Sequence, residues 1–431
     1  MVATLVISII TCLTMIGFII LKPSFTIKRV SIGSYWVVSL IGALILILTS
    51  LVPLDNVVSA IFAHSAINPI KILVIFITIT IISVFLDEVG FFKLAASFAL
   101  KKAGNNQIKL FIILYLVISF LTIFTSNDII ILTFTPFICL FSKRAKIDPL
   151  PYLILEFVAA NTWSMFLIIG NPTNIYLATS LNIEFFDYIK TMFLPTIFAG
   201  VTSFLLLFAI FYKKLKVKIE NVEVENVVIE EKFLLYFGVA ILIICIIGLS
   251  IANYINIEMW MVSLPCAVVL ILTALVYRLI KKEKPVLVIK SLKRAPWELI
   301  PFVLSMFVIV QALNYNGITE KIYEFLNKGN EVWVYGISST LMCNILNNIP
   351  MSVLFSSILE KGVTHSAVFA TIIGSNLGAF LTPIGALAGI MWSNILKKYE
   401  VNYSFLDFIK YGIIICIPTT LMSLLGLSII V

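Results

Sequence analysis

Between Leu110 and Ser142 the chain carries one charged residue, Asp128, set in the polar knot Phe124-Thr125-Ser126-Asn127-Asp128 between two uncharged apolar arms. An acid in hydrocarbon costs about 2.5–3.5 kcal/mol on insertion scales, so such a residue faces protein or water and marks a functional position. A second knot, Asn344-Ile345-Leu346-Asn347-Asn348-Ile349-Pro350, has the same apolar surroundings much later in the chain. Apolar runs of this kind recur throughout. The 431 residues are 61% hydrophobic and 12% charged, about half the charge of a soluble domain of this length. Backbone polar groups in a bilayer must be satisfied internally, and runs of this length do so as helices. The expected fold is an all-α polytopic membrane protein of the plasma membrane, with the lipid bilayer as its first partner.

Basic clusters give the expected topology. They fall at 22–29, 101–109, 143–146, 213–218, 278–294 and 397–398, and the positive-inside rule puts all of them in the cytoplasm. This bias accounts for the net charge of +8 without a nucleic-acid partner. The first run, Val2–Leu21, lacks a basic n-region and a small-residue cleavage site, and reads as a span rather than a removed signal. Both ends of the segment around Ser126 are flanked by basic clusters and so lie on one side. The simplest arrangement is a re-entrant hairpin over about 108–142, entered from the cytoplasm, and a counterpart over about 332–359 entered from outside. About ten spans, two hairpins and two external termini result. A twelve-span bundle fits the charges equally well; arm length and the polar knots favour re-entry. Residues 213–232, which switch from basic to acidic, are expected to form a cytoplasmic linker between halves 1–212 and 233–431.

The halves repeat. Leu86-Asp87-x-x-Gly90 matches Leu313-Asn314-x-x-Gly317 at an offset of 227, and Asn127 matches Asn348 at 221. Asn161 and Gly170 match Asn376 and Gly385, both at 215, within apolar stretches 152–180 and 366–396 that are interrupted by Gly, Asn, Pro and Thr. Four matches in order, each at a helix interruption, indicate an inverted repeat with two broken helices. Such interruptions leave backbone N–H and C=O groups that are tolerated only where they line a cavity or bind something. Packing of small residues between helices is the competing reading for any single position.

Other classes find little support. Six cysteines are scattered singly without a CxxC pair, and the two histidines, His64 and His365, fall in expected loops, so no metal centre is indicated. No Gly-Lys-Ser/Thr phosphate loop occurs, and no nucleophile–base constellation suggests an enzyme.

The stretch Gly374-Ser375-Asn376-Leu377-Gly378 through Thr382-Pro383-Ile384-Gly385 to Trp392 resembles the second broken helix of the arsenical pump membrane proteins. These belong to the ion transporter superfamily, with citrate and divalent-anion:sodium symporters. Residues 344–350 resemble that family's second hairpin tip, 124–136 its first, and Leu86-Asp87-Glu88-x-Gly90 its early acidic motif. The first broken helix, Ile169-Gly170-Asn171-Pro172-Thr173-Asn174, departs towards the broader anion-permease group. The resemblance implies a secondary carrier, often dimeric, with substrate held by Ser126, Asn127, Asn347 and Asn348 at the tips. Asn161, Thr173, Asn174, Asn376 and Thr382 join them from the broken helices. Proton-coupled efflux of arsenite or antimonite is the leading expectation, with Asp128 and then Asp87 as ion-coupling groups. Sodium-coupled transport of a carboxylate or inorganic anion, and sodium/proton exchange, are the alternatives. No cofactor is expected beyond the coupling proton or sodium ion. A soluble ATPase docked on 278–294 is a further expected partner.

Overall fold

The computed structural model describes residues 1–22, 24–27, 30–62, 68–217, 219 and 228–431. His64, Lys28, Arg29 and the middle of the linker, including Glu220, Glu223 and Glu225, lie outside the described residues. The chain is almost entirely helical. The first half runs α1 (Val2–Leu21), a short antiparallel ribbon of β1 (Ser24–Ile27) and β2 (Val30–Gly33), then α2 (Ser34–Leu48), α3 (Leu54–Phe62), α4 (Pro69–Val89), α5 (Phe91–Ala103), α6 (Gln107–Phe124), α7 (Asn127–Ala145), α8 (Leu150–Trp163), α9 (Pro172–Ser180) and α10 (Phe185–Leu215). The second half runs α11 (Lys232–Ala252), α12 (Met259–Ile280), α13 (Val286–Arg294), α14 (Leu299–Tyr315), α15 (Ile318–Leu326), α16 (Glu331–Leu346), α17 (Asn348–Leu359), α18 (His365–Leu377), α19 (Leu387–Lys398) and α20 (Phe405–Ile430).

Each helix of the first half has its counterpart ten places on. The nine-residue α3 matches the nine-residue α13. The long α4 ends at Gly90 and α14 is followed by Gly317, with φ of 101° and 68°. A side chain rarely adopts such angles, which is why glycine marks the bend before α5 and before α15. Packing is exchanged between the halves: α2 lies on α14 and α12 on α4, α9 on α17 and α19 on α7, and α10 on α20.

Among the described residues, eight helical stretches are long and apolar enough to cross a membrane, by length and composition. α4 is largely enclosed by its neighbours, whereas α11 and α12 expose rows of large apolar residues such as Ile243, Ile244, Ile247 and Leu272. Such a face suits lipid. The hairpin arms are unequal. α6 has 18 residues and qualifies as a span by itself, while α17 has 12. At 1.5 Å per residue α17 reaches roughly 18 Å, short of about 30 Å of hydrocarbon, which is a re-entrant length.

Ion pairs tie like ends together. Lys214 pairs with Asp148 at 2.6 Å and Arg294 with Asp87 at 2.7 Å, joining ends expected in the cytoplasm. Lys71 meets Glu258 at 2.6 Å and Lys361 meets Glu320 at 3.2 Å, on the opposite side. The ribbon before α2 is a feature that the basic loop at 22–29 did not reveal; it pairs Phe25 with Ile32 across a four-residue register.

Candidate functional site

The four interruptions are built differently. Between α6 and α7 the break is two residues, Thr125 and Ser126, both extended. Ser126 caps α7, its Oγ accepting from the Asp128 N–H at 3.3 Å. Between α16 and α17 the break is one residue. Asn347 has φ +78° and ψ 152°, an unusual backbone for a side-chain-bearing residue, held because its Nδ2 donates to the Ile384 carbonyl at 2.9 Å and its Oδ1 caps Ile349. α8 and α9 are separated by Ser164–Asn171, where Pro172 opens α9 and Asn171 caps it. α18 and α19 are separated by residues 378–386.

The side chains at these breaks converge. Asn127 at the first tip donates from Nδ2 to Asn161 Oδ1 at 3.1 Å. Asn376 Oδ1 accepts from Ser164 at 2.9 Å and Asn171 at 3.0 Å, while its Nδ2 donates to Asn174 Oδ1 at 2.7 Å. Asn174 in turn donates to the Ser164 and Leu167 carbonyls. Thus one residue of α18 closes the break of the other repeat. At the second tip, Asn348 N donates to Gly385 O at 2.9 Å. Asn344 donates to Gly378 O at 2.9 Å and accepts from Thr382 at 2.7 Å. The end of α18 therefore carries Asn376 on one side and the Gly378 carbonyl on the other, linking the two groups.

Buried polar atoms normally find partners. Among the described residues, two buried carboxamide oxygens have none: Asn127 Oδ1 and Asn348 Oδ1, the two residues that the repeat pairs. Thr173 Oγ1, Thr162 Oγ1 and Ser375 Oγ are in the same condition on the adjoining helices. The grouped residues contain no Lys, Arg or His. The arrangement offers neutral donors and acceptors, together with the N-termini of α7, α9 and α17, to a ligand that brings its own polar groups.

Of the residues expected from sequence, Ser126, Asn127, Asn161, Thr173, Asn174, Asn347, Asn348, Asn376 and Thr382 all sit at these breaks. The two acids expected as ion-coupling groups make no hydrogen bond from their carboxylates to this group. Asp128 is half-buried, its carboxylate without a hydrogen bond or ion pair among the described residues, and it faces Tyr35, whose hydroxyl donates to Glu298 at 3.1 Å. Asp87 pairs with Arg294 of α13 and accepts from Thr133 of α7 at 2.8 Å, so it is a strut between α4, α7 and α13. Ser164, Asn171 and Asn344 were missed as site residues, although Asn171 and Asn344 stood inside the motifs that pointed to the breaks. Glu156 was also missed, although it is the one charge in the stretch 152–180 and is fully buried. No cluster of three or more metal-ligating side chains occurs among the described residues.

A sequence model of the CitMHS family, described as "Citrate transporter", matches residues 18–367. The chain belongs to the citrate transporter family. It is a multi-pass membrane transporter. Curated relatives of this CitMHS protein include the "Arsenical pump membrane protein" of Yersinia enterocolitica, 26% identical over 82% of this chain and 85% of that protein. A protein of the same description from Escherichia coli K12 is 27% identical over the same shares. The "46 kDa membrane protein" of Mycobacterium leprae is 23% identical over 85% of this chain and 87% of that one. Among solved structures, the YdaH transporter of Alcanivorax borkumensis, described as having an unusual topology, superposes with a TM-score of 0.56. It covers 99% of this chain and 97% of its own at 13% identity, a likeness of fold alone.

Proposed function

We propose that this CitMHS transporter exports arsenite and antimonite in exchange for protons. The observation that carries the reading is the neutral site. Trivalent arsenic in water near neutral pH is an uncharged trihydroxide, which needs hydrogen-bond donors and acceptors rather than cations. The unpartnered oxygens of Asn127 and Asn348 and the hydroxyl of Thr173 are acceptors and donors of that kind. A citrate or succinate would bring two or three negative charges to a group without a basic side chain. The arsenical pump relatives agree in direction.

Export against a gradient needs a coupled ion. Asp128 stands at the first tip with an unengaged carboxylate that interacts electrostatically with Tyr35 of α2, and is half-buried rather than enclosed. Asp128→Asn is expected to retain substrate exchange while losing accumulation driven by a pH gradient, measured with radiolabelled antimonite in proteoliposomes. Unchanged gradient-driven accumulation removes Asp128 from the coupling.

The paired carboxamide oxygens favour a second reading, because oxygen donors of this type also hold sodium. A substrate panel in transport-deficient cells, with and without sodium, separates the two. Sodium-dependent citrate or succinate uptake without metalloid export sinks the first. A docked ATPase is less well supported: Arg278 and Lys281 pair with Glu231, and Lys290 and Arg294 with Glu88. Four of the seven basic residues in 278–294 thus have acidic partners within the chain.

A further inference from the structure

Beneath the first hairpin tip lies a carboxyl group that the site does not use. Glu156 on α8 is fully buried, five residues before Asn161. Its two oxygens accept from Thr135 Oγ1 of α7, each at 3.0 Å, and the Trp392 indole of α19 lies beside it. From α7 the Cys139 thiol is near enough to interact with it electrostatically. α6, α10 and α18, also packed on α8, bring no titratable group into interaction with it, and no Lys, Arg or His pairs with it among the described residues. An ionised carboxylate enclosed without a counter-charge carries a large desolvation cost, which a bound proton removes.

The repeat shows that packing alone does not require an acid here. By the offset that pairs Asn161 with Asn376, Glu156 corresponds to Thr371 on α18. By the offset that pairs Asn127 with Asn348, Thr135 corresponds to Ser356 on α17. In the second repeat these are neutral hydroxyls that turn back on their own helices. Thr371 donates to Ala367 O at 2.7 Å and Ser356 to Val353 O at 2.8 Å. One fold, twice built, uses an acid in one copy and a hydroxyl in the other.

A cleft of about 160 Å³, lined by Ile19, Pro383, Ser393, Asn394, Lys397 and Tyr403, opens beside the second break. Trp392 stands between this cleft and Glu156, packed on Phe157, Tyr403 and Phe408 at ring-centroid distances of 5.2, 5.3 and 5.8 Å. α19 also lies on α7, so the carboxyl is enclosed by the first hairpin on one side and by α19 on the other.

We propose that Glu156 is a proton-binding site of the transporter, carrying a coupling proton while it is enclosed between α7, α8 and Trp392. The carboxylate takes its proton from water on one side of the membrane and returns it to water on the other, with no other bond made or broken. This rests on the proton-coupled reading above. In that scheme Asp128 exchanges protons at the surface of the tip, and Glu156 holds one through the occluded step.

The test uses the full-length protein in liposomes. Infrared spectra at neutral pH should show the carbonyl stretch of a buried carboxylic acid in the wild type and its loss in Glu156→Gln. The same variant should keep arsenite counterflow, with a flattened pH profile, and lose uphill accumulation under a pH gradient. Glu156→Thr, which installs the residue of the second repeat, should behave in the same way. Absence of the carboxylic band in the wild type overturns the proposal. So does gradient-driven accumulation in both variants that equals the wild type's, or loss of counterflow together with coupling in both, which marks Glu156 as structural only. A wild type that moves arsenite with no response to the pH gradient overturns the coupled reading itself, and is distinguishable because the variants are not needed to see it.

Discussion

Asn376→Ala is expected to abolish transport and to lower thermal stability more than any other single truncation in the site. The side chain is fully buried and ties three residues of the opposite repeat. Its removal leaves the Asn171 amide without its acceptor and Asn174 Oδ1 without its donor. Ser164 keeps its bond to the Asn161 carbonyl at 2.9 Å and suffers least. Leaving two buried groups unpaired costs about 2–5 kcal/mol. Ser164→Ala removes one of two donors to Asn376, and the cost falls to about 1 kcal/mol. Thermal unfolding in detergent, with transport assayed in parallel, should rank N376A well below S164A. Equal melting temperatures for the two would mean that the breaks are not held together through Asn376.

Gly170→Ala should be the most damaging glycine substitution, because of what a methyl group would meet. A Cβ there falls inside the van der Waals shell of the Ser164 carbonyl, 2.9 Å from its carbon and 3.0 Å from the Cα. Those atoms belong to the backbone at the end of α8 and yield only if the break reopens. At Gly385 the same group meets Asn344 Oδ1 and Gly378 O, each at 2.9 Å. One of these is a side-chain atom that can turn aside, so the cost is smaller. At Gly17 nothing lies within 4 Å. Overpacking of this kind costs about 1–3 kcal/mol, and displacement of the Asn171–Asn174 segment should lower transport by about tenfold or more. The expected order of remaining activity is G17A, then G385A, then G170A, measured as initial uptake rates normalised to membrane-inserted protein. A G170A transporter with wild-type rates would show that the close approach at the first break is not needed.

Much of this was legible in the chain because broken helices leave chemical marks. A polar knot inside an apolar run marks a helix interruption in a membrane, and the repeat offsets pointed to its partner. Gly90 and Gly317 were readable because a bend with positive φ selects for glycine. Less legible was what each residue does at its break. Asn376 and Asn161 match in sequence, yet Asn161 receives the hairpin of its own repeat while Asn376 bridges to the other; spacing along one chain does not carry that exchange. The pairing of Asp87, an acid near a span end, was not legible because Arg294 lies 207 residues away in a loop that read as topogenic. Glu156 obeys the same rule as Asp128, but no polar knot surrounds it, and the helix interruption of its stretch lies fourteen residues further on at Gly170-Asn171-Pro172. The β-ribbon before α2 had no periodicity long enough to register in four-residue strands.

The central claim is that a neutral, hydrogen-bonding site between paired breaks moves an uncharged metalloid hydroxide against its gradient at the expense of protons. Uptake of arsenite into everted membrane vesicles tests it most directly, with an imposed inward-acid gradient and with an ionophore that collapses it. The account predicts accumulation that requires the gradient, needs no sodium and is competed by antimonite but not by citrate. Vesicles that fail to accumulate arsenite under the gradient, or that accumulate citrate in its place with sodium, contradict it.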